Sequence, residues 1–459
     1  MLVMKFGGTS VGSASRLQHV LEIVKRSWKA GERPVVVLSA VAGVTNGLIE
    51  CAQLSVKRNL PQALDKLAEL KKKHLAIASE LFAPKSMPHE LASAFDDAFA
   101  QIDILLRGIS YLGELSNRSL DAVSGFGELL SSRIFALYAD AQELPTRWID
   151  ARQFVITDDT FGRANPDWEA LVPKTRKLLL PILKENRCIV TQGFIGTTAD
   201  GASTTLGRGG SDFSGSIIGV ALDANEIQIW TDVDGMMTAD PRLVPDAAVL
   251  KEVSFQEASE LAYFGAKVLH PLTIKPAIEK RIPVRILNTT KPEKEGTLIT
   301  ESPSISSSDV KVCSIASKKG LTAVFITSPR MLMAHGFLAK VFEVFARYET
   351  SIDLIATSEV SVSLTIDRVD ELSRITTALS ELGEVNVMHN VAIVTVVGRQ
   401  FRHQSGIAGQ IFSALNNINI IMISGGASDI NVSCVVSEED ADKAIKQLHH
   451  EFFPAVVRA

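Results

Sequence analysis

The chain has only four cysteines in 459 residues, Cys51, Cys188, Cys313 and Cys434, with no C-x-x-C pair among them. This spacing supports neither a zinc site nor a disulfide framework, and the thiols read as reduced and mostly buried. Charge of one sign is also missing. The formal net charge is -5 with acids and bases interspersed, so there is no basic stripe to neutralise a phosphate backbone, and nucleic acid is not an expected partner. No apolar run reaches the roughly 18 residues that span a bilayer. The first residues, Met1-Leu-Val-Met-Lys5, lack the basic and then apolar regions of a secretory leader, so a cytoplasmic location without membrane attachment is expected.

What is present is ordinary in amount and informative in order. At 46% hydrophobic and 22% charged the composition is that of a globular enzyme, and the length exceeds what one core usually serves, so two or three domains are expected. Over the first 300 residues, β-branched runs at Leu2 to Phe6, Pro34 to Leu38, Cys188 to Gln192, Glu226 to Thr231 and Val284 to Leu287 alternate with amphipathic stretches. That alternation predicts an α/β domain with a mainly parallel sheet between helices and functional loops at the carboxyl ends of the strands. From about 60 to 120, Leu and Ala recur at helical spacing with no strand signal, which predicts a helical insertion.

The polar, Ser-rich stretch 301–309 predicts a linker after a catalytic domain of residues 1–300. Beyond it a pattern repeats. Gly336-Phe-Leu-Ala-Lys-Val-Phe returns as Gly406-Ile-Ala-Gly-Gln-Ile-Phe, and Val362-Ser-Leu-Thr-Ile as Val432-Ser-Cys-Val-Val, both offset by 70 residues. Two small α+β modules are expected, at 310–390 and 391–459, with the membership of Val310 to Ser317 left open between them.

Several segments carry chemistry. In Lys5-Phe-Gly-Gly-Thr-Ser10, Gly7 and Gly8 let backbone amides approach a polyanion and Lys5 adds a positive charge. A plain glycine turn with a snorkelling lysine explains the hexapeptide equally well. Ser39 and Thr45, after the second strand, are candidates for holding a carboxylate or phosphoryl oxygen, although helix capping is the commoner role of such residues. In Gly125-Phe-Gly-Glu128 the carboxylate opens a helical pattern, where it either meets a substrate ammonium or complements its own helix dipole.

Gly207-Arg-Gly-Gly-Ser-Asp212 is the most informative segment, because an arginine between glycines is an odd choice for a loop that only turns. Arg208 can fork onto a carboxylate, Ser211 can meet phosphoryl oxygens and Asp212 can orient a lysine. Thr231, Asp232 and Arg242 follow a further strand and are candidates for nucleotide contacts. Asp232 and Asp234 also resemble the start of a calcium loop, but the twelfth-position glutamate is absent. Lys267 is a second phosphate-directed cation, and His270 is assigned no chemistry.

These segments in this order resemble the aspartate kinase family within the amino-acid kinase fold, over essentially the whole chain. The resemblance implies that ATP phosphorylates the β-carboxylate of L-aspartate, the first step toward lysine, threonine and methionine, with Mg²⁺ bridging the phosphates. It makes Lys5 and Asp212 catalytic and places Ser39, Thr45, Glu128 and Arg208 around aspartate. Gly7, Gly8, Ser10, Ser211, Thr231, Asp232, Arg242 and Lys267 are set against the nucleotide. Family members often carry an aromatic residue where Met237 stands, which touches only the packing of the base.

The repeats resemble paired ACT (ferredoxin-like) domains, similar to those of the lysine-inhibited, single-function class. Met331, Phe337, Leu338, Ser351, Ile352, Asp353, Ser358 and Glu359 are then the expected effector pocket. A homodimer through these modules is implied, and a tetramer is left open; the chain ends at Ala459 without a region for a fused homoserine dehydrogenase. The alternatives are another amino-acid kinase, acting on glutamate or N-acetylglutamate, and a catalytically silent amino-acid sensor.

Overall fold

The computed structural model describes residues 1–265, 271–303, 312–333, 335–426 and 428–454. They form two compact units, Met1–Met236 with Lys251–Phe255 and Val268–Pro303, and Met237–Leu250 with Gln256–Lys267 and Ser304–Ala459. Segments 237–250 and 256–267 therefore cluster with the second unit, although both lie before the boundary expected at 300. Their own residues give the reason: Ala239 and Val244 are buried in one apolar cluster with Ile407, Ile411 and Leu448.

The first unit is built on an eight-stranded sheet. In chain order its elements are β1 (Leu2–Phe6), α1 (Ala14–Lys29), β2 (Pro34–Leu38), α2 (Val44–Val56), α3 (Leu60–Phe82), α4 (His89–Leu112), α5 (Asn117–Ser124), α6 (Phe126–Ala141), β3 (Thr146–Trp148) and α7 (Trp168–Lys184). There follow β4 (Cys188–Gln192), β5 (Ile195–Thr197), β6 (Ser203–Thr205), α8 (Gly210–Ala221), β7 (Glu226–Thr231), β8 (Glu252–Ser254), α9 (Phe255–Phe264), α10 (Pro271–Glu279), β9 (Val284–Asn288) and β10 (Thr297–Thr300). Of these, α9 lies in the second unit except for its first residue.

The strand order β3-β4-β2-β1-β7-β9-β10-β8 puts β1 between β2 and β7, parallel to both. The chain leaves β1 toward one side of the sheet and later returns on the other, so a crevice opens at the carboxyl end of β1, where ligands bind in such sheets. All five residues of β1 and of β2 are buried, as apolar strands covered on both faces must be.

Helix composition follows what each helix covers. In α1, Leu17, Val20, Leu21 and Val24 recur at helical spacing and are buried, and the Ser13 side chain caps the first turn by accepting from Arg16 N–H. In α8, by contrast, small residues allow very close contact with the sheet. A Cβ on Gly219 would lie 2.5 Å from Ile227 Cδ1, and one on Gly215 would lie 3.3 Å from Lys5 Cβ. Larger residues there would lift the helix off β1 and β7.

The second unit carries β11 (Val312–Thr327), α11 (Phe337–Arg347), β12 (Leu354–Thr357), β13 (Ser361–Ile366), α12 (Leu372–Ser380), β14 (Glu384–Gly398), α13 (Ile407–Ala414), β15 (Met422–Gly425), β16 (Asn431–Ser437) and α14 (Glu438–Phe452). Its six strands form one sheet in the order β12-β13-β11-β14-β16-β15. The long strands β11 and β14 serve both modules. Val324 and Ile326 pack with α11 residues, whereas Val312 and Ile315 pack with α13 and α14 residues. The start of β11 thus completes the core of the second module, not the first, because its pairing with β14 continues past Lys318 to Val312.

His74 of α3 is fully buried against the rings of Phe95 and Phe99. Its Nδ1 lies 2.7 Å from the Leu70 carbonyl, to which it donates, while Nε2 has no hydrogen-bond partner among the described residues. Burial pushes its pKa down to about 4, so the folded state holds a neutral ring that the unfolded chain protonates below pH 6.5. Stability is expected to fall as pH drops from 6.5 toward 4, by on the order of 3 kcal/mol. Urea unfolding of the protein and of His74→Leu across this range checks it, since the variant should lose the slope.

Candidate functional site

The site assembles where the first expected segment sits, at the end of β1. Lys5 stands opposite Val37 of β2 and Ile229 of β7, so its backbone is held on both sides. Its ammonium lies 2.6 Å from Asp212 Oδ1, an ion pair with both side chains mostly shielded from water. Asp212 is the third residue of α8, and the preceding loop explains its aim. Gly207 and Gly209 take left-handed φ values of 75° and 73°, which residues with a Cβ rarely adopt. The chain can therefore turn twice and still start a helix at Gly210. Arg208 projects between those glycines, exposed and with no ion-pair partner among the described residues.

Beside the ion pair is a cavity of about 240 Å³ lined by Gly8, Ser39, Ala42, Thr45, Asn46 and Glu128 among others. Its walls approach so closely that only glycine fits at two points: a Cβ on Gly8 would lie 2.8 Å from the Ala40 carbonyl oxygen, and one on Gly127 would lie 2.8 Å from Ala40 Cβ. The Ser131 hydroxyl of α6 donates to the Ser39 carbonyl at 2.7 Å and fixes that loop against the helix.

Glu128, in the first turn of α6, is buried in this cavity. Burial pushes its carboxyl up to about 8, opposed by hydrogen bonds from the Ala40 and Glu128 backbone N–H groups and by the nearby Lys5 charge. Its Oε2 is buried with no hydrogen-bond partner among the described residues. A carboxyl so placed is costly unless something cationic arrives to pair with it.

The expected residues are thus only partly brought together. Lys5, Gly8, Ser39, Thr45, Glu128 and Asp212 converge; Gly7 donates its N–H to the Trp230 carbonyl, and Ser211 packs against Gly193 at the start of α8. Ser10, expected against the nucleotide, is buried, and its hydroxyl pairs with Thr289 at 2.7 Å. Thr231 and Asp232 close β7, with their side chains hydrogen-bonded to each other. Arg242 lies in the second unit, forked onto Asp240 two residues away, because the short turn brings that carboxylate within reach first. Lys267 lies outside the described residues.

The comparisons decide the family. The amino acid kinase family matches residues 1–288, and an ACT domain matches residues 394–452. Aspartokinase 3, chloroplastic, of Arabidopsis thaliana is 40% identical over 98% of this chain and 81% of its own length. Lysine-sensitive aspartokinase 3 of Escherichia coli is 37% identical over 99% of both chains. The structure of E. coli aspartokinase III in complex with aspartate and ADP superposes with a TM-score of 0.84 at 36% identity, covering 99% of this chain and 100% of that one. The chain belongs to the aspartokinase family.

In this aspartokinase the expected effector residues divide within the second unit. Met331, Gly336, Phe337, Leu338, Ser358 and Glu359 are among those lining one cavity of about 360 Å³. Asp353 does not line it. Its Oδ1 accepts from the Lys318 ammonium at 2.5 Å and from the Tyr263 hydroxyl at 2.8 Å, so an internal ammonium already pairs with it, while Oδ2 is buried with no hydrogen-bond partner among the described residues. Ser351 and Ile352 precede it on the same approach to β12.

Asp121 was not singled out in the sequence, and Asp234 was considered there only within the rejected calcium-loop pattern. Asp234 is gripped by Lys291 at 3.0 Å and Lys294 at 2.8 Å, and the Lys294 contact leads in holding its carboxyl down to about 2. Nothing near either residue in the sequence announces its partners, which lie more than 40 positions away.

The raised pKa of Glu128 makes a stability prediction. The folded state favours the protonated carboxyl while the unfolded chain ionises above about 4.5, so stability is lost as pH rises from 4.5 through 8. Glu128→Gln is expected to be more stable than the native chain at pH 8.5, by a few kcal/mol on the order-of-magnitude conversion of such a shift. Denaturant midpoints at pH 4.5 and 8.5 test this: a gap that does not widen with pH contradicts it.

Proposed function

We propose that this chain transfers the γ-phosphoryl group of ATP to the β-carboxylate of L-aspartate, with the residues around Lys5 as the reacting centre. The observation that carries the assignment of roles is the Lys5–Asp212 ion pair beside a cavity whose Glu128 carboxylate lacks a cation. Glu128 suits the substrate ammonium and Arg208 suits its α-carboxylate, whose planar fork matches a guanidinium. Ser39 and Thr45 lie on the same wall. A carboxylate oxygen attacks the γ-phosphorus, the bond from that phosphorus to the bridging oxygen of ADP breaks, and an acyl phosphate and ADP result.

The acceptor is already an anion at neutral pH, so no general base is required. What remains for the protein is alignment and neutralisation of charge, the main means of catalysing phosphoryl transfer. Lys5 supplies charge to the transferring group, and Asp212 holds the lysine in place. The amides of the Gly7–Gly8 turn and of the α8 amino terminus, with Ser211, suit the phosphates.

Among the described residues no group of three or more His, Cys, Asp or Glu could hold a metal ion. A Mg²⁺ would be carried mainly by the nucleotide phosphates, near the Asp212 carboxylate that pairs with Lys5. Such an ion would spread the charge of the phosphates.

The second unit supports feedback by lysine, the effector for which the E. coli relative is described as sensitive. Glu359, on the rim of the apolar Met331–Phe337–Leu338 cavity, suits a cationic amino acid. Pairing of such modules between two copies is part of the same proposal.

Hydroxylamine trapping of the acyl phosphate tests the reaction, with aspartate, glutamate and N-acetylglutamate offered separately alongside MgATP. Aspartyl hydroxamate is expected, and its absence together with product from another acceptor would overturn the assignment. For regulation, millimolar lysine should depress the rate and Glu359→Ala should raise the inhibitory concentration by roughly tenfold or more, the scale of a lost charge-assisted contact. Equal inhibition of both proteins contradicts the role given to Glu359.

A further inference from the structure

We infer that Asp121 is a positioning residue of the acceptor site, setting Arg208 and Glu128 at the separation that one small amino acid can bridge. The inference rests on the acceptor assignment proposed above and concerns a residue that makes no contact with the cavity itself.

Asp121 lies in α5 and is 2% exposed. Its carboxylate accepts three hydrogen bonds, all from residues distant in sequence. Oδ1 accepts from the Thr205 hydroxyl at 2.7 Å, and Oδ2 accepts from Thr205 N–H at 2.9 Å and Gly162 N–H at 2.8 Å. A buried carboxylate satisfied by two backbone amides and a hydroxyl, with no cation paired to it among the described residues, is not a salt bridge retained for charge. It is a bracket between pieces of backbone.

Both bracketed pieces lead to Arg208. Thr205 ends β6, three residues before the arginine, and its carbonyl is held as well, by Ala164 N–H at 2.9 Å. Gly162 forms the wall on which the arginine turn leans: a Cβ on Gly207 would meet the Gly162 carbonyl oxygen at 3.0 Å. Asp121 therefore holds the strand entering the turn and the loop behind it.

The backbone of Asp121 leads the other way. Its carbonyl accepts from Gly125 N–H at 3.2 Å, closing α5 onto the residue before α6. Glu128 follows in the first turn of α6. A Cβ on Gly125 would lie 3.0 Å from Ile195 Cγ2 and 3.4 Å from the Asp121 carbonyl, so this elbow is packed tight. One residue thus joins the Arg208 turn, through its side chain, to the Glu128 helix, through its main chain. The two groups assigned to the opposite charges of an amino acid share one mount.

The bonding pattern also dictates which substitutions matter. In Asp121→Asn the amide oxygen can accept both backbone N–H groups and the amide nitrogen can donate to the Thr205 hydroxyl, so the bracket survives without the charge. In Asp121→Ala it is lost, and in Thr205→Val one of the three bonds is lost at nearly constant shape. A charge effect would make Asn as harmful as Ala; a positioning effect ranks Ala worst, Val intermediate and Asn mildest.

The test is steady-state kinetics with aspartate and ATP varied in turn, on full-length chains whose folding is checked by thermal unfolding. Asp121→Ala should raise the aspartate KM by about tenfold or more, within the range a misplacement of around an ångström produces, with the ATP KM changed by less than about twofold. Thr205→Val should show the same split to a smaller degree, and Asp121→Asn should restore most of the loss. If Asp121→Ala does not fold, Thr205→Val against Thr205→Ser carries the test, since serine keeps the hydroxyl.

A folded Asp121→Ala or Thr205→Val with an unchanged aspartate KM overturns the inference, as does an equal rise in both KM values or failure of Asn to rescue. Arg208→Ala, measured beside them, separates the two levels of the argument. If it too leaves the aspartate KM unchanged, the acceptor assignment itself is wrong; if it alone raises the KM, only the role of Asp121 falls.

Discussion

The Lys5–Asp212 ion pair is the contact around which the first unit is arranged. Two opposite charges removed from most of their water gain little net stability, because the cost of desolvating both offsets much of their attraction. The pair is better understood as a constraint. It requires α8 to begin beside the end of β1, which requires the glycine-rich loop to turn twice just before it. It also requires the helix to lie almost on the strand, which the missing side chains of Gly215 and Gly219 allow. Composition that looks weak locally, with glycine and serine inside a helix, is thereby explained by a distance.

Glu128 shows the opposite side of the same economy. A carboxyl buried with one unpartnered oxygen lowers stability at neutral and alkaline pH, and no hydrogen bond among the described residues reaches that oxygen. Such a residue makes sense where an external cation completes it. Glu128 and Arg208 are therefore complementary in state: among the described residues the hidden one pairs with no cation and the exposed one with no anion. A zwitterionic substrate would supply both, and on the inference above Asp121 would set how far apart it must be able to reach.

In the second unit a single sheet built from two interleaved modules removes the simple boundary that a repeat of 70 residues suggests. The long strands β11 and β14 each contribute to both apolar clusters, so neither module is packed without the other's strand. The Asp353 carboxylate, expected to meet a ligand ammonium, accepts from both Lys318 and Tyr263 on Oδ1, while its Oδ2 is buried with no hydrogen-bond partner among the described residues. An effector ammonium acting there would either displace Lys318 or meet the unpartnered Oδ2, and only a difference in its affinity for two states would make that contact regulatory.

The sequence by itself determined five strands of the eight-stranded sheet, because fully buried β-branched runs such as Pro34–Leu38 have little alternative, and it placed Lys5 near a strand end and Arg208 and Asp212 in the glycine-rich segment that leads into a helix. Motif order was also enough to indicate the family, and the repeat was enough to indicate paired modules. Tertiary structure alone decided which candidates meet. Ser10 turned to Thr289 and Arg242 to Asp240, since a buried hydroxyl and an exposed guanidinium each take the nearest satisfying partner. Asp121 was invisible in its helix because its three donors lie 41 and 84 positions away. Local pattern encodes what a segment must bury; which distant backbone a carboxylate will bracket depends on how the helices and loops close around it.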